Sequence, residues 1–88
     1  MADKINIQPG QLYAVTTGTY KGSNMVVIDN DMESVNFLDL PDMVPRNISY
    51  IDVKEGIANQ ILELLETLPQ DIMNICIKQY EKNISNRQ

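Results

Sequence analysis

Between Pro9 and Asp29 the chain reads Pro-Gly-Gln-Leu-Tyr-Ala-Val-Thr-Thr-Gly-Thr-Tyr-Lys-Gly-Ser-Asn-Met-Val-Val-Ile-Asp, and this stretch leaves few folds open. Leu12 and Ala14 alternate, and Val15 follows. A polar loop holding Gly18 and Gly22 then leads into a second β-branched run. That pattern is a strand, a glycine-punctuated loop and a strand. The loop carries an aromatic beside a cation, Tyr20 and Lys21. The expectation is a small barrel with a chemically distinctive loop, which points to binding and gives no reason to expect catalysis.

The following segments continue in β. Gln11–Thr17 and Met25–Asp29 are the first two strands. Asp29-Asn30-Asp31 marks a turn, because Asn and Asp tolerate left-handed backbone and bond to their own main chain. Met32–Leu38 alternates through Val35 and Phe37. Pro41 and Pro45 predict an irregular connection, since proline cannot donate to a ladder. Ile48–Ile51 is a short fourth strand, and Ile5 and Ile7 alternate as an edge strand would.

Near Asp52 the period changes. Asp52 with Glu55 three residues later fits a capping box. Ile57, Ile61, Leu64, Leu65 and Leu68 then recur as one helical stripe, which Leu62 widens. Gly56 in the first turn costs about 0.5–1 kcal/mol relative to alanine. Pro69 interrupts, Thr67 and Gln70 form a second capping box, and a second helix is expected from about Leu68 to Lys82.

The length, 88 residues, fits one domain with a small core, burying roughly 60–65% of the surface its unfolded chain exposes. The net charge is −5 and unevenly spread. Residues 1–53 hold three cations against seven anions, a balance of −4, and residues 54–88 hold four against five. Such a field repels nucleic acid, whose affinity comes from phosphate neutralisation, so nucleic-acid binding is expected to be weak. One cysteine, Cys76, permits no internal disulfide, and the N-terminus Met-Ala-Asp-Lys has no apolar run behind it. Both favour the cytoplasm. No run approaches the ~20 apolar residues of a membrane span. The Asn47 and Asn83 sequons are therefore read as chance matches.

Chemistry is largely excluded. The sequence has no histidine, which removes Ser-His-Asp and Cys-His catalysis and the commonest metal ligand. Cys76 lies on the apolar stripe of the second helix with Ile72 and Ile75 and reads as a small buried hydrophobe. Asp29, Asp31 and Glu33 resemble the start of a calcium loop, but Ser34 stands where glycine is required and Leu40 where glutamate is. A solvated hairpin turn accounts for them. Gly22-Ser23 leads into a strand, which rules out a phosphate loop. No catalytic residue, metal or cofactor is expected.

Gly18, Tyr20, Lys21, Gly22 and Val27-Ile28-Asp29, with Pro9-Gly10 before them, resemble in order and spacing the KOW motif. That motif occurs in SH3-like barrels of ribosomal proteins and bacterial transcription elongation factors. Met25 departs from it, standing where the family usually has a further glycine, although Asn24 beside it can supply a left-handed turn. The resemblance covers about Pro9 to Val53. It implies a non-enzymatic module that contacts RNA, DNA or a protein of the gene-expression machinery through the Tyr20–Lys21 loop. Arg46 is the other cation of that half available to a partner. The competing account is that Gly18 and Gly22 only shape a hairpin, Tyr20 packs and Lys21 is solvated.

On the second helix Ile72, Met73, Ile75, Cys76, Ile77, Tyr80 and Ile84 cover a wider arc than one core contact needs. Met73, Ile77, Tyr80 and Ile84 are therefore expected to face a second copy or a docked partner; the competing account is that the two helices bury each other and both sides of a small core. The expected architecture is a single α+β domain. A small SH3-like antiparallel β-barrel over residues 8–53 precedes a C-terminal helical hairpin over residues 54–84. The expected function is a small, acidic binding protein that docks on a protein or nucleoprotein partner of gene expression. The alternative is an acidic phage-type inhibitor or accessory protein, acting as an oligomer on a basic site of a host protein. A basic strip at Lys21 and Arg46 would favour nucleic acid; a continuous acidic face from Asp29 to Asp42 would favour the inhibitor.

Overall fold

The computed structural model describes residues 6–40 and 42–86. The strands are β1 (Gln11–Val15), β2 (Asn24–Asn30), β3 (Ser34–Leu40) and β4 (Val44–Ser49). Helix α1 (Tyr50–Ala58) follows, then β5 (Leu62–Thr67) and α2 (Gln70–Asn86). All pairings are antiparallel, in the order β4-β3-β2-β1-β5. β4 and β5 do not pair, so the sheet is open and a closed barrel does not form. Ile5 lies outside the described residues. Ile7 belongs to no strand, but it is buried, and its carbonyl accepts a hydrogen bond from Asn30 Nδ2.

The helical hairpin expected at the C-terminus is replaced by helix, strand, helix. Its first helix is short. Ser49 caps it three residues earlier than Asp52 was expected to, its hydroxyl accepting from the Asp52 N–H at 3.1 Å. It ends in a Schellman motif: Gln60 N–H donates to Ile57 O and Ile61 N–H to Gly56 O. Gln60 takes the left-handed conformation there, at φ 62°. Leu62–Thr67 then add to the free side of β1. Leu62 sits opposite Val15, Leu64 opposite Tyr13 and Glu66 opposite Leu12. The register slips between Leu12 and Tyr13, which leaves Leu65 as a bulge.

Both faces of the sheet are covered. On one face Tyr13, Val15, Met25, Val27, Val35 and Phe37 pack with Val53 of α1 and with Leu62. On the other, Val26, Ile28 and Leu38 pack under Met73 and Cys76 of α2. This double covering explains the unbroken run Met25–Ile28, every residue of which is buried. α1 touches β3 and both edge strands, filling the gap across which a barrel would close. α2 crosses β2 and reaches β4, where Asn83 Nδ2 donates to the Met43 carbonyl.

The Met73, Cys76, Ile77 and Tyr80 side of α2 therefore packs on the sheet, where Met73, Ile77 and Tyr80 were expected to face a second copy or a partner. Met73 is buried, Ile77 and Tyr80 pack on the same cluster, and Ile84 is half-buried. Burial, then the nearby Asp29 carboxylate, raises the Tyr80 phenol above its ordinary pKa. Cys76 is buried, and desolvation pushes its thiol up. The apolar side chains that α2 exposes are Ile72 and Ile75.

Three outcomes follow in chemical denaturation. Ile77→Asp is expected to cost about 2–4 kcal/mol by burying a charge among apolar side chains. Ile75→Asp, on the exposed side, should stay within about 0.5 kcal/mol. Gln60→Gly is expected to raise stability by about 0.5–1 kcal/mol, since glycine adopts the left-handed cap without a Cβ penalty. Equal losses at Ile77 and Ile75 would contradict the assigned face of α2.

Candidate binding groove

The loop between β1 and β2 owes its shape to two glycines. Gly18 and Gly22 hold φ near 91° and 92°, a region that L side chains rarely occupy. Val15 N–H donates to Ser23 O and Gly22 N–H to Val15 O, so the loop is anchored at its base. Its tip turns on Lys21 N–H to Gly18 O and Ser23 N–H to Tyr20 O. Asn24 is already in the ladder, opposite Ala14 and Leu40.

Arg46 reaches this loop from β4. The register places Arg46 opposite Phe37 and Val44 opposite Asp39, so Arg46 and Asp39 are diagonal neighbours on the α1 face. Arg46 Nε donates to Asp39 Oδ2 at 2.7 Å. Asp39 is 7% exposed, the one buried charged side chain among the described residues. The hydrogen bond that Arg46 donates to Asp39 is the main cause that raises the guanidinium above its already high pKa. The guanidinium carbon also lies 4.5 Å from the Tyr20 ring centroid. Asp39, Arg46 and Tyr20 thus form one stack, from buried carboxylate to a ring that is 51% exposed.

Beside the stack runs a groove of about 490 Å³. Its floor is apolar and includes Val15, Met25, Ile48, Val53 and Leu62. One wall is Thr17, Thr19 and Tyr20 of the loop with Arg46 of β4. The other is α1, which contributes Asp52 and Glu55, together with Asn59 at its C-cap. Gly56 allows Leu62 to approach: a Cβ built on it would meet the Leu62 side chain at 3.2 Å. The groove exists because β5 pairs with β1 and carries Leu62 under α1.

Of the residues expected to bind a partner, Tyr20 and Arg46 meet at this groove. Lys21 is exposed one position along and does not line it. Met73, Ile77 and Tyr80, expected at an interface, pack against the opposite face of the sheet. Sequence reasoning missed Asp52, Glu55 and Asn59 as lining residues. The signal for the α1 wall was Ser49 with Asp52 three residues later, an N-cap pattern that puts Asp52 in the first turn.

The acidic residues near the β2–β3 hairpin have a local role. Asp31 Oδ1 accepts from the Glu33 and Ser34 N–H groups at 2.7 and 2.8 Å. These bonds, Ser34 first, hold the Asp31 carboxyl below its ordinary pKa. Asp29 accepts from Asn36 Nδ2. Asp42 lies beyond the far end of β3, about 20 Å away at ~3.3 Å per residue. Asp39, between them in sequence, is buried. Among the described residues no helix is long and apolar enough to cross a membrane.

Comparison with protein-family models, with curated proteins and with solved structures gives no match in any of the three.

Arg46→Ala is expected to destabilise by about 1–3 kcal/mol, because it leaves the Asp39 carboxylate without its partner. Tyr20→Ala, which removes only an exposed cation–π contact, should cost about 0.5–1 kcal/mol. Thermal melts of the two variants order them; a larger loss for Tyr20→Ala would mean that the ring is part of the core.

Proposed function

We propose that this chain is a small non-enzymatic binding module that docks on a protein, or on the protein part of a nucleoprotein, through the groove beside Tyr20. The carrying observation is the Asp39–Arg46–Tyr20 stack. It fixes an aromatic side chain, half exposed, at the mouth of an apolar groove. A rigid aromatic beside a desolvated pocket is the usual composition of a protein-binding hot spot. The same stack weakens the nucleic-acid reading, because Asp39 neutralises Arg46 and Lys21 alone remains of the basic strip.

A four-strand meander whose first strand also pairs with the fifth is what a small barrel needs short of closure, and α1 fills the remaining gap. This order supports reading the sheet as an opened SH3-like barrel. With the Gly18, Tyr20, Lys21 and Gly22 pattern, it supports a partner in gene expression. A lone buried thiol fits a cytoplasmic setting. The inhibitor reading has less support, since the acidic side chains sit at opposite ends of β3 and form no continuous face.

The test is site-specific photo-crosslinking in cell lysate, with a benzophenone amino acid at Thr19 beside the groove or at Asp31 on the distant hairpin. A protein adduct is expected from Thr19 alone. Combining Tyr20→Ala with Lys21→Ala should remove it while costing no more than about 1 kcal/mol of stability. Adducts that form equally from Asp31, or that survive the double change, would move the docking site elsewhere.

A further inference from the structure

We infer that the segment this groove accepts is an extended stretch of a partner protein in which an apolar side chain neighbours a lysine or arginine. The inference rests on the groove being a protein-docking site and adds the chemistry of the occupant.

The charge balance along the groove decides it. Three charged side chains line it: Arg46, Asp52 and Glu55. Arg46 is matched by the buried Asp39 carboxylate at 2.7 Å. Asp52 and Glu55 have no ion-pair partner among the described residues. They stand three residues apart on α1, on one side of the helix and about one turn from each other. The cation between them in sequence, Lys54, lies instead 5.8 Å from the Tyr50 ring centroid. The α1 wall is therefore net negative, above an apolar floor and opposite an aromatic ring. An apolar side chain gains by entering the floor, and its burial desolvates whatever follows along the wall. A cation there meets two carboxylates that have no ion-pair partner among the described residues, whereas a carboxylate or phosphate meets like charge. A volume of about 490 Å³ holds a few side chains, so the recognised unit is short.

The test is selection of a random displayed heptapeptide library on the full chain, followed by polarisation titration of the selected peptides as fluorescein conjugates. Selected peptides are expected to pair Leu, Ile, Met or Phe with Lys or Arg. Asp52→Asn combined with Glu55→Gln should weaken them about five- to tenfold, as loss of two surface ion pairs implies. Asn59→Lys plants a cation on the same wall and should weaken them at least as much; a lysine near a helix C-terminus favours the helix, so this variant keeps its fold. Binding should also fall as salt rises. Peptides that need Tyr20, show no basic preference and ignore both wall variants would overturn the basic-segment inference while leaving the groove as a docking site. Peptides indifferent to Tyr20→Ala as well, or no selected peptide at all, would overturn the docking reading and this inference with it.

Discussion

Pairing of β5 with β1 is the contact on which the remaining structure depends. It makes β1 an interior strand and carries Leu62 beneath α1, against Gly56. It also sets where the chain leaves the sheet. After Thr67 the backbone turns, Leu68 N–H donates to the Gly10 carbonyl, and α2 starts over the opposite face. The strand thus divides the helices between two faces. Without it α1 would have one edge strand to lean on, and the apolar runs of β2 and β3 would lack cover on one side. About 25 cal/mol for each Å² of apolar surface buried is the driving force for both coverings.

The electrostatics of the groove follow from one buried carboxylate. A charge as enclosed as Asp39 is tolerated only when paired, and β4 supplies Arg46 from the adjacent ladder position. The guanidinium satisfies Asp39 through Nε while its carbon lies 4.5 Å from the Tyr20 ring centroid, a pairing that its planar shape favours. A lysine there could pair with the carboxylate but could not stack as a plane. The loop is thereby tied to β4 by a side chain that contributes little free charge. Recognition at the groove then falls to shape, to the aromatic ring and to the carboxylates on α1.

The first three strands were legible because local and tertiary preferences agree there: alternation, β-branched runs, and Gly, Asn and Asp at the turns. β4 was read as Ile48–Ile51, whereas the strand runs Val44–Ser49 and Tyr50 and Ile51 open α1; Pro45 hid its start, yet on an edge strand a proline is tolerated, since only one side needs the ladder. β5 was read as helix for two physical reasons. Leucine and glutamate are good helix formers, and Ile57, Ile61, Leu64, Leu65 and Leu68 happen to fall at helical spacing. The bulge at Leu65 also breaks the alternation that marks a strand. The free edge of β1 overrode the local preference, and no window of sequence contains that edge. The site divided in the same way. Tyr20 and Lys21 were visible in the loop motif. The union of Tyr20 with Arg46, and the role of Asp52 and Glu55, required the β3–β4 register and the β5 pairing.

The bond pattern at β1 also orders events in time. Its inner neighbour β2 follows after one short loop, a closure with little entropy to lose. Its outer neighbour is supplied by Leu62–Thr67, long after. As the chain emerges during synthesis, four strands and α1 precede the segment that covers the outer edge of β1. Pairing across such a separation is intrinsically slow. Until then that edge presents unpaired backbone groups to any strand it meets. The segment least visible as a strand in the sequence is therefore the one whose arrival ends this exposure.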